Sequence, residues 1–391
     1  MTSELELGHK AFGDILELLS ESGSNGFADA LRVLLNTAML IEREKFIGAG
    51  PYERSSSRQA HANGFKGKIL KTRLGELDLK VPQVREGGFY PNALEKGSRS
   101  EKALKLALAE MYVQGVSTRK VAAITEQLCG FEVSSSQVSR ASAELDVALE
   151  QWRNRSIGCI PYLMLDARYE KVRYGGSVID LAILIAVGVN ESGHRQVLGV
   201  SVSLSEAEVH WREFLLKLKD RGLYGAKLIT SDAHAGLKAA KTAVFPSVPW
   251  QRCQFHLQQN AQSYVPKQDM KSQVAAEIKS IYNTQNEEEA KRLLSLLVDK
   301  YRTTAPKLSE WLERNIPEGL TIFALAESHR KRLRTTNGLE RVNKEIKRRT
   351  RVATLFPNEA SCLRLVTAIL MEISDDWETT KLPYISMNSN S

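Results

Sequence analysis

The feature that most constrains the fold is a series of apolar runs between residues 156 and 256. CIPYLMLDA, SVIDLAILIAVGVN and RQVLGVSVS follow one another and have the length and composition of buried strands. The polar stretch YEKVRYGG between the first two predicts a turn, so the first strand is expected to end at Asp166. AKLITSDA predicts a fourth strand that ends at Asp232, and VPWQRC predicts a short fifth strand.

Two helical segments separate the third, fourth and fifth strands. SEAEVHWREFLLKLKDRG predicts an amphipathic helix with Val209, Phe214, Leu215 and Leu218 facing inward, and HAGLKAAKTAVF predicts a shorter helix. Three consecutive strands followed by helix, strand, helix and strand indicate a mixed sheet with helices packed against it.

Helical spacing of apolar residues flanks this block on both sides. Residues 1–46 and 255–329 are predicted to be helical, and a further α region is expected from Asn337 to about Ile373. ILKTRLGELDLKVPQV alternates apolar and polar residues and predicts a hairpin around Gly75. The C-terminal KLPYISMNSNS is expected to be disordered.

A pair of short helices is predicted within residues 100–155. Ser117 or Thr118 would cap the first, Gly130 would break the chain, and Ser134 or Ser135 would cap a second helix that continues through Leu149. This is the plan of a helix-turn-helix, although any two packed helices share it.

In a helix-turn-helix, the second helix reads base edges through residues near its N-terminus. Ser136, Gln137 and Arg140 occupy those positions and are the candidates for contact with DNA bases.

Composition excludes several classes of protein. The longest apolar run in the 391 residues, Leu181 to Val189, has nine residues, whereas a membrane span needs about 20. No secretory signal pattern is visible, and four scattered cysteines are too few for a disulfide framework, so we expect a reduced intracellular protein.

Positive charge is concentrated in one short segment. Residues 330–351 hold ten Lys or Arg and two Glu, so their net charge equals the +8 of the whole chain. Such focused charge is typical of a phosphate-backbone partner, and also of a solvated helix face.

Three carboxylates are candidates for metal chemistry. Asp166 and Asp232 end predicted strands, where ligands and metals sit in open sheets, and together they would suit Mg²⁺ or Mn²⁺. Each could instead be a turn or cap residue, and Asp232 could cap the helix that starts near Ala235. Glu340 lies in the basic segment, three residues after Asn337, so the two could form a capping box.

A capping box would not explain the positive charge around Glu340. On one helix, Glu340, Lys344 and Lys347 would share a face. A carboxylate that faces metal ions beside lysines that face phosphate is suited to phosphoryl transfer.

The order Asp, Asp, Glu on this set of elements resembles ribonuclease-H-like DDE transposases, specifically mutator-type bacterial insertion-sequence transposases. The motifs that carry the resemblance are LDARYEKVR, TSDAH, RCQFH and TTNGLERVNKEIKRRTR, preceded by GAGPYERSSSRQAHANGF, GELDLKVPQVREGGFYP and GVSTRKVA. They extend from about residue 40 to 375. One departure is Ala62, where the family pattern has Arg.

The resemblance implies a role for five residues. Asp166, Asp232 and Glu340 match the catalytic triad, which would hold two Mg²⁺ or Mn²⁺ ions per active site. Cys253 and His256 match a C-x2-H signature and would lie near the triad as auxiliary active-site residues. A zinc site at this pair is not favoured, because zinc takes about four ligands and no second pair follows in the sequence.

The resemblance also implies a multidomain fold: an α-helical N-terminal DNA-binding region with a helix-turn-helix, then an α/β ribonuclease-H-like mixed-sheet catalytic core interrupted by an all-α insertion. The expected divisions are N-terminal helices (1–50), an extended and hairpin segment (51–99), the helix-turn-helix domain (100–155), the first part of the core (156–256), the insertion (257–329), the second part of the core (330–375) and a disordered tail (376–391).

The implied activity is metal-dependent cleavage and strand transfer of an insertion sequence by two-metal phosphoryl transfer. The partners would be double-stranded DNA, both the terminal inverted repeats and the target, with a homodimer on DNA and no membrane, in the bacterial cytoplasm and on the nucleoid when DNA is bound. Arg334, Lys344, Lys347 and Arg348 would bind phosphates. Trp311 would stack on an unpaired base or, as is commoner at its helical spacing, belong to the core.

Three alternatives remain open at this point. A ribonuclease-H-like nuclease that cuts without joining would share the triad. A non-catalytic DNA-binding protein derived from a transposase would be expected to lack one of the carboxylates. A helix-turn-helix regulator with a sensor domain would not explain the basic segment around Glu340.

Overall fold

The structure, a computed structural model, describes residues 2–51, 53, 56–85, 88–94, 100, 102–351 and 355–387. The chain divides into two compact units, Met1–Glu144 and Leu145–Ser391. No helix of the described residues is long and apolar enough to cross a membrane.

The first unit contains five helices and one hairpin among its described residues: α1 (Thr2–Ser22), α2 (Phe27–Ile47), β1 (Ala62–Thr72), β2 (Gly75–Val84), α3 (Lys102–Val113), α4 (Thr118–Cys129) and α5 (Ser135–Ala143). The predicted hairpin is confirmed, and it is longer than its apolar pattern suggested. Thr72 pairs with Gly75 across a two-residue turn. Helix α2 packs on β2, with Met39 against Leu77 and Leu79 in one apolar core. The rest of the predicted segment 51–99 lies partly outside the described residues.

Helices α3, α4 and α5 share a second apolar core, which includes Leu108, Val121 and Val138. Both predicted caps are present. The Ser117 side chain accepts a hydrogen bond from the backbone N–H of Lys120 at the start of α4, and α4 ends at Gly130 with a φ of 71°. At the start of α5, Ser134 and Gln137 form a capping box.

The prediction that the second helix continues to Leu149 is wrong. Helix α5 ends at Ala143, and a separate helix, α6 (Asp146–Arg153), begins the second unit. Helix α6 packs with the second unit, where Asp146 forms an ion pair of 2.7 Å with Arg364. The unit boundary therefore lies at residues 144/145, whereas the sequence predicted it at 155.

The second unit contains the sheet and most of the helices. Its elements after α6 are β3 (Gly158–Cys159), β4 (Tyr162–Tyr174), β5 (Ser177–Val189), β6 (Arg195–Ser203), α7 (Glu208–Asp220), β7 (Leu223–Tyr224), β8 (Leu228–Ser231), α8 (Ala235–Val244), β9 (Trp250–Arg252), α9 (Gln254–Ala261), α10 (Lys271–Tyr282), α11 (Glu287–Tyr301), α12 (Pro306–Asn315), α13 (Glu327–Leu333), α14 (Asn337–Thr350) and α15 (Glu359–Glu378).

The predicted mixed sheet is confirmed. Its strand order is β6-β5-β4-β8-β9, with β4, β5 and β6 antiparallel and with β8 and β9 parallel to β4. Helices α7 and α8 pack on it through a core that includes Trp211, Phe214 and Leu237. Val209, which was predicted to face inward, is 62% exposed. Trp211 is buried in its place because it lies on the face of α7 that meets the sheet.

The prediction that the first strand ends at Asp166 is also wrong. Strand β4 continues to Tyr174 and forms a hairpin with β5 through Gly175 and Gly176, both at positive φ. The polar residues of this extension looked like a turn because β8 does not reach them. Strand β8 pairs only with Tyr162–Met164, and farther along β4 the described residues add to the pairing with β5 only a single parallel bridge, from Phe356 to Val172.

Residues 255–329 are all described and none is in a strand, as the sequence predicted. The predicted disorder of residues 376–391 is wrong as far as residue 387, and Asn388–Ser391 lie outside the described residues. Helix α15 extends to Glu378, and the segment after it packs back on the unit. Ile385 is buried, and its N–H donates a hydrogen bond of 3.1 Å to the Gly193 carbonyl.

Candidate active site

Two of the predicted carboxylates lie at the same edge of the sheet. The parallel pairing of β4 with β8 ends at Met164 and Thr230. Asp166 and Asp232 each come two residues later, Asp166 within β4 and Asp232 just after β8, so they occupy equivalent positions along adjacent parallel segments. Asp232 does not cap α8, since the N-cap residue of that helix is His234. The alternative interpretation of Asp232 as a helix cap is therefore wrong.

The electrostatics of Asp166 reflect this placement. The pKa of Asp166 is raised from 3.8 to about 6, mainly by burial; the negative charges of Asp232 and Glu206 act in the same direction, and the Ala167 N–H and His256 act against it. Its Oδ1 accepts a hydrogen bond of 2.9 Å from the Ala167 N–H. A carboxyl group so placed binds its proton more tightly than one in water, and additional positive charge nearby would lower its pKa.

Glu340 enters this site from α14. The N-cap residue of α14 is Thr336, not Asn337, so Glu340 takes no part in a capping box. Its Oε1 is buried and has no hydrogen-bond partner within the described part of the chain. One turn later, Asn343 donates a hydrogen bond of 2.8 Å from Nδ2 to Oδ2 of Asp166. Because residues three apart share a helix face, α14 presents Glu340 and Asn343 on the same side.

Contacts with β4 hold α14 in this position. Arg168 donates a hydrogen bond to the Asn343 carbonyl and forms an ion pair with Glu170. Thr350 donates a hydrogen bond of 2.9 Å to Glu170 at the C-terminal end of the helix. The middle and the C-terminal end of α14 are thus tied to the strand that carries Asp166.

Cys253 and His256 lie beside the carboxylates, at the junction of β9 and α9. The buried Cys253 sulfur accepts hydrogen bonds from the N–H and the hydroxyl of Thr336, at 3.4 and 3.3 Å. The hydrogen bond to Cys253 raises the pKa of His256 to about 9, and the charges of Asp232 and Asp166 add to the effect. Burial alone would raise the pKa of Cys253, but its hydrogen bonds with His256 and Thr336 lower it. His256 Nδ1 is 4.0 Å from Asp232 Oδ1.

One group of three side chains in the described part of the chain is compact enough to hold a metal ion. One ligand atom from each of Cys253, His256 and Glu340 lies within 4.8 Å of the others. The fold thus adds a third ligand to the pair visible in the sequence. Asp166, Asp232 and Glu340 are not grouped this tightly, but Asn343 on the Glu340 helix contacts Asp166 and His256 lies 4.0 Å from Asp232. Within the described part of the chain Glu340 Oε1 is buried without a hydrogen-bond partner, and a hard divalent cation would suit such a carboxylate oxygen.

Three residues of the site were missed by sequence reasoning. Asn343 donates a hydrogen bond to Asp166, and Arg168 donates one to the backbone of α14. Glu206 adds a further negative charge near Asp166. Asn343 had a detectable signal, since it follows Glu340 by three residues on one helix. Arg168 and Glu206 had none, because their contacts depend on how the segments pack.

The predicted phosphate-binding residues have different environments. Lys344 and Lys347 are exposed on α14. Arg348 is exposed but forms an ion pair of 2.6 Å with Glu345. Arg334 donates hydrogen bonds to the Tyr282 carbonyl and to Asn283, so its guanidinium holds two helices together.

The prediction that Trp311 stacks on a DNA base is wrong. Its side chain is 9% exposed and stacks on Tyr264, with ring centroids 5.5 Å apart. Trp311 is therefore part of the core between α12 and the segment after α9, which was the alternative considered from its helical spacing.

In the first unit, Ser136 and Arg140 are exposed on α5. Gln137 is engaged in the capping box, where its Oε1 accepts a hydrogen bond of 2.8 Å from the Ser134 N–H. Ser136 and Arg140 thus keep the exposure that base contact requires, whereas the Gln137 carbonyl already has a partner.

Comparison with known proteins decides the family. A family model described as transposases of the Mutator family matches residues 9–380. The chain belongs to this family. The identification as a mutator-type insertion-sequence transposase is therefore confirmed, and the function is DNA transposition.

Relatives within the family align over almost their full length. The chain is 56% identical over 372 residues to a transposase for insertion sequence element IS406 from Burkholderia multivorans, covering 95% of this chain and 96% of the relative. It is 43% identical to a transposase for ISRM5 from Rhizobium meliloti, covering 94% and 92% of the two chains. It is 38% identical to a transposase for IS256 in transposon Tn4001 from Staphylococcus aureus, covering 92% of each.

Proposed function

We propose that this transposase cleaves and joins DNA strands by metal-dependent phosphoryl transfer at Asp166, Asp232 and Glu340. The observation that carries the proposal is that Asp166 and Asp232 lie on adjacent strands beside α14, which contacts Asp166 through Asn343 and bears Glu340, whose buried Oε1 has no hydrogen-bond partner among the described residues. Family membership gives transposition, and this cluster is where its chemistry would occur.

The catalytic unit is proposed to be ribonuclease-H-like. Three antiparallel strands followed by two strands parallel to the first, in the order β6-β5-β4-β8-β9, support this assignment. The helical residues 257–329 then form an insertion between the strand part of the core and the helix that carries Glu340.

Asp166, Asp232 and Glu340 are the residues that would hold two Mg²⁺ or Mn²⁺ ions. When bound, such ions supply positive charge that polarises a phosphodiester and lowers the pKa of an attacking water. The protein's own contribution is placement. Asn343 fixes one oxygen of Asp166 through its 2.8 Å hydrogen bond. The Cys253 sulfur, through Thr336, fixes the start of the helix that carries Glu340.

His256 would contribute a positive charge at this site. With a pKa of about 9 it is protonated at neutral pH. It can therefore donate a hydrogen bond to a phosphate oxygen near Asp232. The reaction would be hydrolysis of a phosphodiester at the element's end, which frees a 3′-hydroxyl, followed by attack of that hydroxyl on a target phosphodiester. Neither step requires a protein nucleophile.

The first unit is proposed to read the terminal inverted repeats. Helices α4 and α5, with α3 beneath them, have the order and caps of a helix-turn-helix, and Ser136 and Arg140 are exposed on α5. Lys344 and Lys347 would neutralise phosphates near the active site. Because two element ends must be brought together, we propose a homodimer on DNA.

A cleavage assay tests the proposal. Purified protein is incubated with Mg²⁺ and a labelled duplex that ends in the element's inverted repeat, next to Asp166→Asn and Asp232→Asn. We expect metal-dependent cleavage by the wild type and none by either variant, with duplex binding retained. Cleavage by a variant would remove that aspartate from the catalytic set.

A further inference from the structure

A basic cavity of about 410 Å³ lies at the start of α14, in the second unit. Its walls are α13, the first turns of α14, the first residue of β6, the end of α15 and the segment 380–384. Four cationic side chains line it: Arg195, Lys331, Arg332 and Arg341. Arg341 follows Glu340 directly, so the cavity and the carboxylate cluster are built on the same turn of helix.

The lining of the basic cavity carries positive charge alone. No Asp or Glu is among its described lining residues, and none of its four cations forms an ion pair with a carboxylate in the described parts of the chain. Burial lowers the pKa of Arg195, and the charges of Arg332 and Arg341 lower it further against the effect of Tyr384. Like charges held this close repel one another, and a bound anion would relieve the repulsion.

Other arginines of the basic segment 330–351 already have structural partners. Arg330 donates hydrogen bonds to the carbonyls of Leu325 and Gln285. Arg349 forms ion pairs with Glu345 and Glu372. Arg330 and Arg349 are therefore engaged within the fold, whereas the basic cavity combines three other cations of this segment with Arg195 from β6.

Arg195 is held in place by aromatic rings. Its guanidinium carbon lies 4.1 Å from the ring centroid of Trp377 and 4.3 Å from that of Tyr384. The Tyr384 hydroxyl donates a hydrogen bond of 3.0 Å to the Arg332 carbonyl, which fixes the tail segment as a wall. A guanidinium fixed in advance loses little conformational entropy when it binds an anion.

The start of α14 leaves the backbone accessible. A Cβ at Gly338 would lie 3.4 Å from Arg195 Nη1, so the glycine admits the guanidinium beside the helix. The N-cap residue Thr336 makes no side-chain cap, because its hydroxyl is bonded to Cys253. The positive end of the helix dipole adds to the four cations.

We propose that the basic cavity binds the backbone phosphates of DNA whose phosphodiester lies at the neighbouring carboxylates. This inference rests on the proposed function, because it requires DNA at that site. Guanidinium groups match phosphate in geometry and charge, and four positive charges suit more than one phosphate. The cavity would hold the backbone in register while Asp166, Asp232 and Glu340 act on it.

The test measures how DNA affinity depends on salt. The full chain, Arg332→Gln/Arg341→Gln and a control, Lys279→Gln/Lys307→Gln, bind a labelled random-sequence duplex in EDTA over a range of NaCl concentrations. All four positions are exposed, so folding should be kept, and the two doubles lose equal charge. The slope of log affinity against log salt should fall by about 1 for each lost phosphate contact, or about 2 in the cavity double.

We expect the control to keep the wild-type slope and Arg332→Lys/Arg341→Lys to restore most of it. If the wild type binds duplex with a steep salt dependence and the cavity double keeps that slope, the cavity proposal is overturned and the proposed function stands. If the wild type binds no duplex, both fail. If cleavage is absent but the slope still falls, the cavity proposal survives without the catalytic one.

A parallel titration with inorganic pyrophosphate distinguishes the two ligands that could supply phosphate to the cavity, the DNA backbone and a small free anion. Loss of pyrophosphate binding in the cavity double, with an unchanged DNA slope, would assign the cavity to a small anion and overturn the DNA assignment. Loss of pyrophosphate binding together with a reduced salt slope for DNA would support the DNA assignment.

Discussion

Replacing Asp166 by Asn should stabilise the metal-free protein at neutral pH. The folded protein raises the pKa of this carboxyl from 3.8 to about 6, mainly through burial. The folded state therefore holds the proton more tightly than the unfolded state. Stability is lost as the pH rises from about 4 to 6, and above pH 6 the full cost of the buried charge is present. Asn carries no charge and has no such cost.

The magnitude follows from the shift. At about 1.4 kcal/mol per pKa unit, the shift corresponds to about 3 kcal/mol at pH 7.5. This is an upper value, because water reaches part of the Asp166 side chain. The amide should be accommodated, since Asn343 Oδ1 has no hydrogen-bond partner among the described residues and can accept from it after a flip.

The assay is urea denaturation in EDTA, followed by tryptophan fluorescence. All five tryptophans lie in the second unit, so the signal reports on the unit that holds Asp166. We expect the free energy of unfolding of Asp166→Asn to exceed that of the wild type by up to about 3 kcal/mol at pH 7.5, and the two values to differ little near pH 4. The control Asp180→Asn removes an exposed carboxylate that pairs with Lys171 and should change stability by about 0.5 kcal/mol or less.

Adding Mg²⁺ should remove most of this difference between the variant and the wild type. A metal at 100 times its dissociation constant stabilises a protein by about 2.7 kcal/mol, and only the wild type has the full ligand set. A variant that is less stable than the wild type by the same amount at both pH values would refute the reasoning. It would mean that the Asp166 carboxylate stabilises the metal-free fold, whereas the account expects its buried charge to destabilise it.

Three further predictions concern the surroundings of the site. Asn343→Ala removes the hydrogen bond to Asp166 and should lower metal affinity about 10- to 100-fold in a metal titration of cleavage; an unchanged titration would count against it. Cys253→Ala leaves the Thr336 donors without an acceptor and should cost about 1–3 kcal/mol in urea denaturation, with Cys253→Ser restoring part; no loss would contradict the contact. Trp311→Phe should reduce stability but leave duplex affinity unchanged, whereas weaker binding by the folded variant would restore the stacking role.

Local patterns in the sequence predicted the sheet well. The segments that form β5, β6 and β8 are continuous apolar runs. Their composition therefore predicted buried strands without knowledge of the neighbouring strands. Asp232 follows a short buried strand directly, and its position could be read in the same way. The caps at Ser117 and Ser134 were equally local signals.

What the sequence missed depended on long-range packing. Strand β4 continues beyond Asp166 because β5 pairs with it, although β8 does not extend that far. Glu340 looked like part of a capping box because Asn337 is a good cap, but the Cys253 contact places Thr336 at the cap position instead. The tail was predicted to be disordered because its composition is polar, yet Ile385 has a buried place on the fold.

The most direct test of the central claim is a strand-joining assay with purified protein, Mg²⁺, a labelled duplex ending in the inverted repeat and a plasmid target. Glu340→Gln is the matched control, since it keeps the size of the side chain and removes the charge. We predict labelled plasmid with the wild type, none without metal, and none with Glu340→Gln although the variant still binds the duplex. Joined product from Glu340→Gln would contradict the three-carboxylate site, and cleavage without joining would indicate a nuclease.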